Sequence, residues 1–152
     1  MKNPKSFAGY INLKPINGVI FPSYAQNQMN KTFVEENLNG IFFLSTNENQ
    51  YSDNNIVLHS LILENNNIAG IVMLSAFMLP ENLKYRKKIY LNLFKKKKKL
   101  YFIFEKLELS KKNDVENLEE YLIFTNKFFT KKKSTLTSDE KKLFIDKDWS
   151  FV

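Results

Sequence analysis

The sequence predicts a three-layer α/β domain, with a mainly parallel sheet of about four to five strands and helices on both faces. The run from Ile68 to Leu74 is almost uninterruptedly apolar, short and rich in β-branched residues, as in a strand covered on both sides. It stops at Ser75, and after Pro80, which cannot extend a ladder, a charged amphipathic segment begins. Shorter apolar runs recur from Ile41 to Leu44 and from Leu100 to Phe104, and each is followed by a helical pattern of crossover length. Adjacent parallel strands with right-handed crossovers are the expected result.

The elements follow in order. Phe7 to Leu13 reads as a first strand, followed by the turn-rich Lys14-Pro-Ile-Asn-Gly18 and a short extended piece closed by Pro22. A helix then begins, capped by Ser23, with Tyr24, Gln28 and Thr32 on one side and Met29, Phe33 and Val34 nearby; Asn39-Gly40 ends it. The second strand, read as buried, stops at Ser45, and a polar loop carries Glu48 and Asp53. Val57, Leu58, Leu61 and Ile62 make the stripe of a helix packed on a sheet. His59 falls off that stripe and reads as a packing or surface residue.

After the central strand, the next helix has its apolar face at Leu83, Ile89, Tyr90, Leu93 and Phe94. Arg86 falls on that face rather than on the solvent side. The lysines from Lys95 to Lys99 suit a helix C-terminus, where cations meet orphan carbonyls and the dipole. The fourth strand ends at Glu105, and Lys106 to Leu109 alternates as a half-exposed edge would. Asp114 is the expected cap of the last helix, built on Val115, Leu118, Tyr121 and Leu122. The expected organisation is one α/β domain over residues 1–129, then a linker and C-terminal tail over 130–152 in which Trp149 anchors against the body or a sister subunit.

Composition narrows the chemistry. The chain has 152 residues, 43% of them hydrophobic, enough apolar material for one domain with a real core. No cysteine occurs, which removes disulfides, thiol nucleophiles and thiolate metal sites; a single histidine argues against a His-built metal centre. Neither metal nor cofactor is expected. No run reaches the roughly 18 to 20 apolar residues that span a bilayer, and the start lacks a signal-peptide core, so the expected location is cytoplasmic. The formal charge is +7, but Arg86 is the one arginine, and direct base readout leans on the arginine fork. Lysine charge without forks reads as a solvated surface, and nucleic acid as an unfavoured partner.

Phosphate loops, dinucleotide glycine fingerprints and nucleophile elbows are missing from the sequence. What remains is a ring of polar residues at strand ends, Asn12 and Lys14, Ser45 and Glu48, Ser75 and Glu105, where ligands of open α/β sheets bind. Ser45, Ser75 and Glu105 follow strands, and a parallel sheet brings them to one edge, with Glu48 in the adjoining loop. Arg86 belongs to the helix rising from that edge, and Gln26 and Asn27 start the first helix, whose amino end offers N–H groups to an anion. An inward arginine needs an anionic partner: a ligand, or Glu81, Glu105 or another carboxylate. The ligand reading expects Arg86 to act through binding more than through folding.

The blocks Gly9-Tyr10, Pro22 with Gln26-Asn27, Leu44-Ser45 with Glu48, Gly70 to Pro80, Arg86 with Ile89-Tyr90, and Phe102 to Glu105 resemble the sporadic carbohydrate cluster family. Members occur in bacterial gene clusters for cell-surface polysaccharide synthesis. The resemblance implies an accessory protein or small enzyme acting on a sugar phosphate or nucleotide sugar, or else a non-catalytic scaffold, with homo-oligomers open. The order of elements is also similar to the catalytic domain of serine recombinases, which implies a resolvase-like or flavodoxin-like sheet. Those enzymes carry a nucleophilic serine directly after the first strand and several arginines around the phosphate. Here Asn12-Leu13-Lys14-Pro15 stands in that place. Without the serine hydroxyl no covalent phosphodiester intermediate forms. What this resemblance leaves is a nucleic-acid-binding relative without strand exchange.

Overall fold

The strand β1 (Ser6–Ile11) pairs in parallel with β2 (Ile41–Asn47) on one side and β3 (Gly70–Met73) on the other; β4 (Lys99–Phe102) continues the parallel sheet beyond β3. The short β5 (Leu107–Leu109) closes it antiparallel to β4, giving the order β2-β1-β3-β4-β5. The computed structural model describes residues 3–48 and 54–129, so Asp53 and the tail with Trp149 lie outside the described residues. The helices are α1 (Ser23–Glu36), α2 (Ile56–Glu64), α3 (Leu83–Lys95) and α4 (Lys112–Phe129), with a short 3-10 turn at Ala76–Met78.

Alternation along the strands divides the core in two. Phe7, Val72 and Tyr101 face α1 and pack on Val34. Ala8, Tyr10, Ile71, Met73, Leu100 and Phe102 face the other way, onto the apolar sides of α2, α3 and α4. Both faces of β3 are therefore covered and all its residues are buried, as its unbroken apolar run requires. Gly70 keeps β3 close to β4: a Cβ there would stand 2.7 Å from the Lys99 carbonyl oxygen.

Several expectations need correction. β2 is not a doubly buried strand beside β3 but the outer strand beside β1, alternating exposed and half-buried residues. Phe42 and Leu44 reach the two cores while Ile41 and Phe43 stay half exposed, because among the described residues nothing covers the outer rim of the sheet. On α1 the buried positions are Gln26, Asn30 and Val34, whereas Tyr24 is 78% exposed. The helix follows Pro22, and no side chain caps it. Asp114 is not the cap of α4. It lies inside the first turn and reaches back to the Lys111 and Ser110 N–H groups, the acidic half of a capping box.

The lysine run acts on a neighbouring helix. Lys97 N–H bonds to the Phe94 carbonyl and Lys98 N–H to that of Leu93, a Schellman closure of α3. Buried Lys98 then sends its ammonium to the carbonyls of Leu61, Ile62 and Asn65 at the C-terminus of α2.

Candidate functional site

At the carboxyl edge of the sheet lies a cleft of about 280 Å³. Lys14, Pro15 and Asn17 of the loop after β1 form one wall; Phe77, Leu79 and Pro80 follow β3; Leu122 and Ile123 come from α4; and Arg86 and Glu81 lie at its base. This is the position at which open α/β sheets present ligand sites.

A polar network sets the Lys14 wall. The buried Gln26 accepts from the Asn12 N–H at 3.2 Å and donates to the carbonyls of Asn12 and Phe21, both at 2.8 Å. Asn12 Oδ1 accepts from the Lys14 N–H at 2.9 Å, and its amide donates to the Tyr10 hydroxyl at 3.1 Å. Tyr10 in turn donates to Glu48 at 2.8 Å. Burial, and next the Glu48 charge, push the Tyr10 phenol far above its usual range, so it remains a donor. The Lys14 ammonium donates to the Leu79 carbonyl at 3.2 Å and stands 3.7 Å from the exposed Glu81 carboxylate.

Below the cleft, Ser75 Oγ donates to Glu105 Oε1 at 2.5 Å, and the Ala76 N–H donates to the same oxygen at 3.1 Å. Ser75 Oγ also accepts from the Phe77 N–H, which fixes the turn that lines the cleft. Burial raises the Glu105 carboxyl above the usual range, and the Ser75 bond only partly offsets this. Among the described residues Glu105 Oε2 is buried with no hydrogen-bond partner, consistent with a carboxyl that resists ionisation.

Arg86 is inward and its anion is Glu119, not the carboxylate of Glu81 or Glu105. Nε and Nη2 meet the two Glu119 oxygens at 2.8 Å each, and Nη1 donates to the Pro80 and Glu81 carbonyls at 2.9 and 2.5 Å. Tyr90 donates to the same carboxylate. Burial alone would lower the guanidinium pKa, but the hydrogen bonds and charge of Glu119 hold it above its ordinary value.

The other expected site residues scatter. Ser45 is exposed on the outer strand, opposite Gly9. Glu48 is buried at the amino end of α2, accepting from the Val57 and Leu58 N–H groups. Asn27 is half buried and its Oδ1 meets no donor among the described residues. Of the expected site residues Arg86 alone lines the cleft; Ser75 and Glu105 brace the Ala76–Phe77 turn beside it, Gln26 supports the loop of Lys14, and Ser45, Glu48 and Asn27 do not line it. His59 is half buried and held below its usual pKa by burial and then by the Lys88 charge.

Lys14 was expected only as one of the polar residues at strand ends, while Asn17 and Glu119 carried no expectation. Glu119 had a signal: it sits inside the stripe Val115, Leu118, Leu122, where an acid needs a partner. Among the described residues no three His, Cys, Asp or Glu side chains are placed to hold a metal ion, and no helix is long and apolar enough to cross a membrane.

The mostly parallel five-stranded sheet with its helices defines an α/β domain whose fold resembles that of a resolvase catalytic domain. Among solved structures it is similar to the N-terminal catalytic domain of TP901-1 integrase, with a TM-score of 0.56 and 18% identity over 82% of this chain and 96% of that one. At that identity the likeness is one of fold. No family model matches the sequence, and no curated protein matches it. The resemblance to the carbohydrate cluster family thus has no counterpart in these comparisons.

Proposed function

We propose that the chain is a ligand-binding accessory protein of cell-surface carbohydrate biosynthesis, which uses a recombinase-type fold for a small anionic sugar. The observation that carries this reading is Lys14. It stands in the loop where recombinases carry their nucleophilic serine, and its ammonium lies at the wall of the cleft. A lysine there attracts a phosphate as a point charge but offers no hydroxyl for attack. The buried Ser75 hydroxyl is engaged with Glu105 and the Phe77 N–H.

Asn17 and Glu81 suit sugar hydroxyls, and Phe77, Leu122 and Ile123 suit the C–H face of a ring. A volume of about 280 Å³ lies at the small end of the roughly 300–1,000 Å³ typical of ligand pockets, which favours a sugar phosphate over a nucleotide sugar. Arg86 shapes the floor through its bonds to the Pro80 and Glu81 carbonyls. Titration with hexose 1-phosphates, followed by amide chemical shifts, tests the reading. Shifts at residues 14–17, 76–81 and 122–123, weakened about tenfold or more in Lys14→Met as expected for loss of a charge-assisted contact, support it. Binding that ignores Lys14 rejects it.

The fold likeness favours a second reading, a nucleic-acid-binding relative that has lost its chemistry. Against it stands the engagement of Arg86 with Glu119, which leaves no free arginine fork. This reading expects sequence-dependent affinity for duplex DNA at physiological salt. The sugar reading expects weak, sequence-independent binding that vanishes with salt.

A further inference from the structure

We propose that the amino-edge corner between α3 and α4 is a docking surface for an anionic phospholipid membrane. The inference is independent of the cleft, which lies at the opposite edge of the sheet. The antiparallel register sets Leu100 against Leu109, so the chain entering β4 and the chain leaving β5 run side by side. That brings the end of α3, with exposed Lys95, Lys96 and Lys97, next to exposed Lys111 and Lys112 at the start of α4. Two of the nearby acids are already engaged. Glu108 pairs with Lys99 at 2.9 Å, and Asp114 accepts the backbone N–H groups of Ser110 and Lys111. Among the described residues no carboxylate pairs with those five lysines.

Two placements work against the fold. Lys97 holds φ at 54°, a left-handed conformation that a side chain resists and glycine would accept. Lys111 and Lys112 stand at the amino end of α4, where the helix dipole disfavours cations. The left-handed residue closes α3 whatever its side chain, so it is the choice of lysine over glycine there, and of lysines at the start of α4, that brings the fold no gain; functional residues are expected at such places. Positive charge is crowded here: burial first, and then the field of Lys96, lower the pKa of Lys98.

The chemistry of the corner selects the partner. It holds lysines only, with no arginine fork to grip a phosphodiester, and its nearest aromatics, Phe94 and Tyr101, are packed against the core. Point charges on flexible stems suit a plane of anionic headgroups, and each lysine near such a surface strengthens binding about fivefold. Such binding falls off within a Debye length, about 8 Å at physiological salt, so it is salt-sensitive and reversible.

The experiment is co-sedimentation of the full chain with phosphatidylcholine vesicles, with and without phosphatidylglycerol, at physiological ionic strength. Wild type should sediment with the anionic vesicles alone. Lys96→Glu/Lys111→Glu should weaken this more than about tenfold, while Lys84→Glu/Lys88→Glu on α3, which removes the same net charge elsewhere, should retain most of it. Unchanged melting temperatures establish that both variants fold. Equal losses in the two variants would show diffuse charge rather than a surface and overturn the proposal. So would sedimentation with neutral vesicles, no sedimentation at all, or tighter binding to duplex DNA at matched phosphate concentration.

Discussion

Arg86 and Glu119, 33 residues apart in sequence, form a two-pronged ion pair with both nitrogen–oxygen distances at 2.8 Å, and Glu119 is fully buried. The pair ties α3 to α4, and through the Pro80 and Glu81 carbonyls it ties both to the loop at the cleft floor.

Of the two partners the sequence left open for Arg86, a ligand or a carboxylate, this geometry shows the carboxylate. Removing one partner strands a buried charge, so Arg86→Met should destabilise by about 3–5 kcal/mol. Arg86→Lys keeps the charge but loses the fork and should cost about 1–3 kcal/mol. Arg86→Met/Glu119→Leu should cost less than the sum of its single changes. Urea unfolding of the four variants, Glu119→Leu included, checks the cycle; additive losses would disprove the coupling.

Glu105 supplies a pH signature. Its folded pKa is raised by burial, so the native state binds the proton more tightly than the unfolded chain. Stability therefore falls as pH rises from the ordinary carboxylate value through the raised one. Glu105→Gln keeps an acceptor for Ser75 and Ala76 while removing the buried charge. Its unfolding free energy should lack that decline, and an unchanged pH profile would exclude Glu105 as the source.

Adjacent lysines should respond in opposite directions. Lys97→Gly relieves a left-handed side chain and should stabilise by about 0.5–1 kcal/mol, net of the greater freedom of glycine in the unfolded chain. Lys98→Met leaves the carbonyls at the end of α2 without their donor and should cost about 1–3 kcal/mol. Amide exchange at residues 61–65 should accelerate only in the second.

Glu48 holds Tyr10 and the amino end of α2 together. Glu48→Ala removes their shared acceptor and should destabilise by about 1–3 kcal/mol. A Tyr10→Phe partner change should lessen that loss, which thermal unfolding of the double variant would read out.

The sequence by itself determined the class of fold and the course of its centre. Unbroken apolar runs such as Ile68 to Leu74 have no alternation to hide, so burial on both faces was legible, as was the polar stop at Ser75. The inward direction of Arg86 followed from helical spacing alone. Tertiary structure decided what these residues meet. Periodicity says which face of an element is apolar, but not which strand lies at the rim, so β2 was misplaced. Nor does it reveal partners brought from afar: Glu119 for Arg86, the carbonyls of α2 for Lys98, the amino end of α2 for Glu48. Polar residues at strand ends look alike in sequence. Whether one lines a cleft or is consumed by the fold depends on which donors and acceptors the packed helices bring within hydrogen-bond reach.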